Sequence, residues 1–207
     1  MLHETLQFQV GVSKMAKWQT KPVTDETIRW IGSQIGCDMQ TGPWIAGGTP
    51  RLLWFDERWQ GHDIDVFVPN LDTLNRLHYR LKKITGDPGY QTRNACTYGV
   101  FYGGFTHKVQ IICKNFYPTL DKLFNYFDFT ACKFATDGKF IVSDEKSVRE
   151  CQRRELVWNI TSPQGISPYR VIKYSAYGFD VDNRILSELV KRYHDNPQQF
   201  NLDPDYE

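Results

Sequence analysis

The clearest periodicity in the chain falls at residues 71–84. Leu71, Leu74, Leu77, Leu81 and Ile84 recur there at spacings of three and four. That spacing lays an apolar stripe along one side of an α-helix, and Asn70 supplies the acceptor that caps its first turn. Just before it, Asp63 to Val68 alternates polar and apolar and stops at Pro69, which predicts a strand covered on one face. Trp44-Ile45-Ala46-Gly47, after the Gly42-Pro43 turn, reads as a short buried strand. A helix over about 25–35, capped by Thr24 and ended by Gly36, precedes it. The stretch 48–62 reads as a loop with a helical turn near Leu52 and Leu53, and residues 1–22 are weakly patterned.

Beyond Gly86-Asp87-Pro88-Gly89, residues 90–101 and 107–113 read as two strands joined at Gly103-Gly104. Val109, Ile111 and Cys113 share one face of the second strand, with Gln110 and Ile112 on the other. A helix follows Pro118, to about 126. Residues 129–135 and 139–142 flank Asp137-Gly138, a strong hairpin-turn signal. The last third is helical. One helix covers 144–156 with Ser143 as cap, a second starts at Ser167-Pro168 and stops at Gly178, and a third covers 182–194 before a polar tail. Helix, mixed strands and then helices predict an α+β fold.

Composition narrows the class. With 41% apolar and 14% aromatic residues the chain is not disordered. No apolar run approaches the roughly 20 residues that span a bilayer, so no membrane is expected, and the first eighteen residues lack a signal-peptide pattern. The expectation is a cytoplasmic protein. The five cysteines, Cys37, Cys96, Cys113, Cys132 and Cys151, are odd in number and widely spaced. They read as reduced thiols, and without C-x-x-C or paired histidines a zinc site is not expected. Lys and Arg number 25 against 24 Asp and Glu, a net charge of +1. That balance argues against global attraction for nucleic acid while leaving room for a local basic patch. It leaves the oligomeric state open.

The candidate chemistry lies in residues 45–68. Gly47-Gly48 closes a buried strand, where missing side chains let a phosphate approach backbone N–H groups. Asp63 and Asp65 follow, two apart on the next strand, so their carboxylates project to one face. Their mutual repulsion is relieved by a divalent cation. Alone, a D-x-D is usually a solvated strand face and a Gly-Gly usually a turn; it is their order, each after a strand, that points to chemistry.

This arrangement resembles the signature of the DNA polymerase beta superfamily of nucleotidyltransferases. Ala46-Gly47-Gly48-Thr49-Pro50-Arg51, followed by Leu52-Leu53 and Asp63-Ile64-Asp65, is similar to the G-G-x-x-R…D-I-D block of CCA-adding enzymes and bacterial poly(A) polymerases. Further blocks resemble theirs in the same order. Lys108 to Ile112 resembles the strand after their hairpin, with Gln110 where a Glu often stands. Phe127-Asp128-Phe129-Thr130 resembles their R-R-D-F-T block. Ser167 to Lys173, ending at Gly178-Phe179, resembles the start of their neck. The likeness spans roughly residues 30–180. The chain departs where Tyr126 and Phe127 replace two Arg, Cys132 an Asn, and Ile166 and Ser167 a Glu-Asp pair, groups that in the family hold the ribose and read the base.

The resemblance implies a polymerase beta-like head over residues 1–156, a mixed sheet flanked by helices, and a short helical neck over 157–207. It implies a metal-dependent transfer of NMP from an NTP (ATP or CTP) to an acceptor hydroxyl, with an RNA or tRNA 3′ end favoured. Asp63 and Asp65 would bind two Mg²⁺, and Asp128 is the candidate third carboxylate. Gly47, Gly48, Thr49 and Arg51 would hold the triphosphate, and Arg170 would contact the nucleotide or brace the neck. The compact size fits a phage or mobile-element protein. The alternative is a non-catalytic nucleotide- or RNA-binding module of the same fold; a third reading makes the D-x-D a plain surface strand.

Overall fold

A computed structural model describes residues 18–195 and Pro197; the polar tail and most of the weakly patterned start lie outside the described residues. Its centre is an eight-stranded mixed sheet. In chain order the strands are β1 (Trp18–Pro22), β2 (Trp44–Ala46), β3 (Ile64–Phe67), β4 (Tyr90–Gln91), β5 (Ala95–Tyr102), β6 (Phe105–Ile112), β7 (Phe134–Thr136) and β8 (Phe140–Asp144). They lie side by side as β1-β8-β7-β2-β3-β6-β5-β4. The β3–β6 pair is parallel and the other pairs of the sheet are antiparallel.

Two helices cover one face. In α1 (Glu26–Ile35) the Asp25 carboxylate, rather than Thr24, accepts from the Ile28 N–H, and Gly36 ends the helix at φ 72°. In α3 (Leu71–Thr85) the cap is Asn70, accepting from the Thr73 N–H. Ile28, Ile31 and Ile35 of α1 and Leu74, Leu77 and Leu81 of α3 bury against Ile45, Ile64, Val66, Val109 and Ile111 of the sheet. Both helices therefore form where the sequence places an apolar stripe, because that stripe matches the strands' inward residues. Gly32 of α1 lies against the β7–β8 turn, where an added Cβ would sit 2.9 Å from the Asp137 carbonyl oxygen.

The other face is covered over half its width. A second apolar cluster joins Trp44, Phe67 and Phe134 to α4 (Leu120–Tyr126), α5 (Glu145–Gln152) and α6 (Pro168–Ala176). Ile185 of α7 (Asn183–Asp195) closes it, fully buried. The core runs without a break from the sheet into the helices after residue 156. A two-stranded parallel ribbon, β9 (Glu155–Leu156) with β10 (Asp180–Val181), stitches the two parts together.

Several local expectations shift. Residues 48–54 form a true helix, α2 (Gly48–Trp54). Residues 130–132 take a 3-10 turn instead of extending the strand before Asp137. The helix expected to reach 156 ends at Gln152, because residues 155 and 156 pair with β10 instead. Its cap is Asp144; Ser143 is a buried strand residue whose hydroxyl donates to the Lys133 carbonyl. Strand β1 emerges from a weakly patterned stretch because an edge strand with mixed burial carries little periodic signal of its own.

Candidate active site

Alternation along β3 decides which way the two aspartates point. Ile64 and Val66 are fully buried against α1 and α3, so Asp65 projects to the opposite face. Asp63 lies one residue before the strand and is exposed, while Asp65 is half-buried. On that face Asp65 stands beside Gln110 of β6, and Gln110 stands beside Thr97 of β5. One step back along these strands lie Lys108, paired with Gly99, and then Thr106, paired with Phe101. Lys108, Gly99 and Phe101 are exposed, Phe101 at 68%. The β3-β6-β5 half of the sheet thus presents an open floor with two acids, one lysine and one aromatic ring.

The Gly-Gly turn borders this floor. Strand β2 runs antiparallel to β3, so its last residues meet the start of β3. Gly47 has φ 93°, outside the range open to most side chains, and its N–H donates to the Phe134 carbonyl at 2.8 Å. Gly48 opens α2, and a Cβ added to it meets no atom within 4 Å. Thr49 is buried and its hydroxyl donates to the Asp63 carbonyl at 2.9 Å. That bond fixes the start of α2 to the start of the acid-bearing strand, and it commits the Thr49 hydroxyl proton.

Arg51, Asp128 and Arg170 lie elsewhere. Arg51 is 5% exposed, with its guanidinium 5.4 Å from the Tyr174 ring and 5.1 Å from the Phe179 ring. Its Nε has no hydrogen-bond partner. Asp128 is 1% exposed; one oxygen accepts from the Phe129 N–H at 2.9 Å and the other pairs with Arg170 Nε at 3.3 Å. Arg170 also donates to Cys132 Sγ at 3.0 Å, and the Tyr174 hydroxyl lies 3.1 Å from the same sulfur. Burial pushes both the Cys132 thiol and the Tyr174 phenol up, so both stay neutral. Asp128, Arg170, Cys132 and Tyr174 form one closed cluster that locks α6 onto the 130–132 turn.

Most positions that depart from the family blocks are core or cap residues, and Tyr126 is partly buried against the core. Phe127 is buried edge-on to Phe67 at 5.4 Å, Ile166 is buried, and Ser167 caps α6. Sequence reading missed Asn159. Buried on the segment after β9, it donates to the carbonyls of Phe124, Asn125 and Phe127 at 3.2, 3.3 and 2.7 Å, and its N–H reaches the Asp128 carbonyl. No local pattern marks such a residue, because its partners sit more than thirty positions away.

The structure therefore brings Asp63, Asp65, Gly47, Gly48 and Thr49 to one end of the sheet and leaves Asp128 in the core with Arg170. Among the described residues, no three carboxylates gather. The one trio of His, Cys, Asp or Glu whose ligand atoms lie within 4.8 Å of one another is His78, Cys96 and Cys113, and these could hold a metal ion. Cysteine spacing gave no sign of this trio, since its members are gathered by sheet register and not by a short motif. Two surface concavities, of about 550 and 400 Å³, lie on α7 and beside Trp59, and neither is lined by Asp63 or Asp65.

A family model described as "Gad2: Gabija anti-defense 2 family protein" matches residues 12–154, more than half of the chain. The chain belongs to this family. No curated protein matches it. Solved structures do. A CCA-adding enzyme complexed with CTP aligns at a TM-score of 0.59 and 16% identity, over 86% of this chain and 48% of that one. The complex with ATP gives 0.57 and 15%, over 85% and 46%. The Thermotoga maritima CCA-adding enzyme complexed with tRNA_CCA gives 0.54 and 15%, over 85% and 47%. The chain spans about half the length of these structures, and at this identity the likeness is one of fold: a polymerase beta-like α+β head with a short helical segment behind it. Among the described residues no helix is long and apolar enough to cross a membrane.

Proposed function

We propose that the chain is a metal-dependent nucleotidyltransferase, moving NMP from an NTP to an acceptor hydroxyl with release of pyrophosphate. One observation carries the reading. Asp63 and Asp65 border an open sheet face at the end where the Gly47-Gly48 turn meets the start of β3, the two joined by the Thr49–Asp63 bond.

The donor set fits Mg²⁺, which favours carboxylate oxygens and keeps several of its waters. Two carboxylates and the neutral Gln110 amide suit one ion; a second would rest on phosphate oxygens of the nucleotide. When bound, the metal supplies the positive charge that lowers the pKa of the acceptor hydroxyl and offsets charge on the phosphates. The chain does the rest. The backbone N–H groups of Gly48 and Thr49, in the first turn of α2, lack partners within the helix and face the phosphates. The exposed Phe101 ring and Lys108 ammonium, on the same face as Asp65, give an acceptor base a stacking surface and its phosphate a counter-charge. This favours an RNA 3′ end as acceptor. Arg51, Asp128 and Arg170 act as positioning residues that hold α6 against the head. Base choice between ATP and CTP then falls to groups other than those at 126, 127 and 166.

We take the family's name as the direction of this activity, a cytoplasmic transfer that counters Gabija defence. A screen of four labelled NTPs with Mg²⁺ against total RNA and total protein tests the chemistry. Label on RNA with pyrophosphate release, lost in Asp63→Ala at unchanged melting temperature, is the expected result. In cells carrying Gabija, the wild type should lift protection and Asp63→Ala should not. Gln110 favours a second reading, a non-catalytic nucleotide-binding module. It wins if NTP binds with Mg²⁺ but no acceptor ever yields pyrophosphate.

A further inference from the structure

The trio His78, Cys96 and Cys113 lies on the opposite face of the sheet from Asp65. Cys96 alternates with Tyr98 and Val100 on β5, all buried on the face that carries α3. Cys96 pairs with Ile111, and the Cys113 N–H extends the ladder by donating to the Asn94 carbonyl at 2.7 Å. Cys113 therefore shares the face of Ile111 and sits diagonally from Cys96. His78 reaches the same point from α3, one residue past the buried Leu77. The ligand atoms of the three residues lie within 4.8 Å of one another. All the cysteines of this set are free thiols. Cys96 is buried while Cys113 and His78 are half-buried, so one side of the trio opens to solvent.

We propose that His78, Cys96 and Cys113 bind one Zn²⁺ ion, with the fourth position left to water. Two sulfurs and an imidazole form a soft to borderline donor set that selects Zn²⁺ over the hard Mg²⁺ of a carboxylate site. A second observation points the same way. One ring nitrogen of His78, Nδ1, already meets the Tyr98 hydroxyl at 2.8 Å, and Tyr98 stands two residues from Cys96 on the same face. An outer partner of this kind orients a ligating imidazole and fixes its tautomer. The ion would pin α3 to the β5–β6 hairpin at the edge of the sheet, behind the floor that carries Lys108 and Phe101. It is a clasp on the scaffold, separate from the Asp63–Asp65 pair and independent of the transferase reading.

The test uses the whole chain, purified under reducing conditions and stripped of metal. Titration with Zn²⁺ should give one equivalent bound and a raised melting temperature. Titration with Co²⁺ should give tetrahedral d–d bands together with sulfur-to-cobalt charge-transfer absorption. Cys113→Ser, at the half-buried position, should halve the charge-transfer intensity and weaken Zn²⁺ binding by a hundredfold or more. Tyr98→Phe should weaken it by about 10–100-fold, as loss of an outer partner does. Should Cys96→Ser fail to fold, Cys113→Ser and His78→Gln carry the same comparison. The proposal is overturned if the wild type binds no more Zn²⁺ than Cys113→Ser. It is equally overturned if Co²⁺ gives only octahedral, thiolate-free spectra, or if Cys96 and Cys113 are found joined as a disulfide in the reduced preparation.

Discussion

Two acid-bearing regions of this molecule make opposite use of the same side chain. Asp63 and Asp65 stand on an open strand face with a neutral amide beside them. Asp128 stands in the core, one oxygen on a backbone N–H and the other on Arg170. Carboxylates on an open face, one exposed and one half-buried, gain little stability for the fold. A buried carboxylate is held by its partners, and removing one of them leaves a charge without compensation. The difference separates an open face from a closed brace.

The largest effect should come from the open region. If Asp63 and Asp65 hold the metal, Asp65→Ala removes several kcal/mol of charge stabilisation from the reaction, a loss on the order of a thousandfold in turnover. Asp63 is exposed, so Asp63→Ala should leave stability within about 0.5 kcal/mol of the wild type. Rates of pyrophosphate release and urea melts on the same preparations check both halves. A variant that loses activity and stability together would dissolve the contrast.

Next comes the closed cluster. Asp128→Ala should cost about 3 kcal/mol, toward the lower end for a broken buried pair because Arg170 keeps some contact with water. Its signature is a lowered urea midpoint at unchanged slope, with nucleotide affinity retained in the folded fraction. Arg170→Ala should fall in the same direction by at least as much, since it leaves the buried Asp128 carboxylate without its cation while the bond from the Phe129 N–H remains. An Asp128→Asn variant that melts normally but transfers nothing would instead return Asp128 to the catalytic set.

This contrast also marks what the sequence could convey. Residues on the open side are local in the chain. Gly47, Gly48, Asp63 and Asp65 sit within one short stretch whose strand alternation already implies a shared face. The Gly36 end of α1, the α3 stripe, the Gly103-Gly104 hairpin and the Ser167-Pro168 helix start were legible for the same reason, since each depends on near neighbours. The closed side is assembled from afar. Arg170 meets Asp128 and Cys132 across about forty residues. Asn159 meets the end of α4 across more than thirty, and the His78–Cys96–Cys113 trio depends on strand register. Arg51 read as a triphosphate ligand from its place in the Gly-Gly block; its packing against Tyr174 and Phe179 depends on residues more than 120 positions away. The 155–156 strand was hidden in a helical pattern because its partner lies at 180–181.

A smaller effect should separate the turn from the fold. Gly48 is not in the left-handed region, and a Cβ there meets nothing within 4 Å. Gly48→Ala should therefore melt as the wild type does, or slightly higher, since alanine is the better helix former. If phosphates approach this backbone, the methyl group intrudes on them, and NTP affinity should fall about tenfold, or 1.4 kcal/mol. Equal affinity in the two proteins would move the nucleotide away from the turn.

The smallest effect is also the most discriminating. Gln110 faces Asp65 across the parallel β3–β6 pair, half-buried and beside Lys108 on its own strand. Gln110→Glu keeps the shape and adds one negative charge to the acid pair. Without a cation, like charges this close oppose one another, so the metal-free variant should lose a few tenths of a kcal/mol to 1 kcal/mol of stability. With Mg²⁺ that loss should reverse, because a third carboxylate strengthens the site, and the Mg²⁺ concentration for half-maximal activity should fall several-fold. Two outcomes are then distinct. If turnover rises or holds while the Mg²⁺ requirement drops, the floor is a working site that runs on two carboxylates. If Mg²⁺ restores stability but neither protein releases pyrophosphate, the same floor binds a nucleotide and stops there, and the contrast between the two regions becomes one of binding against bracing.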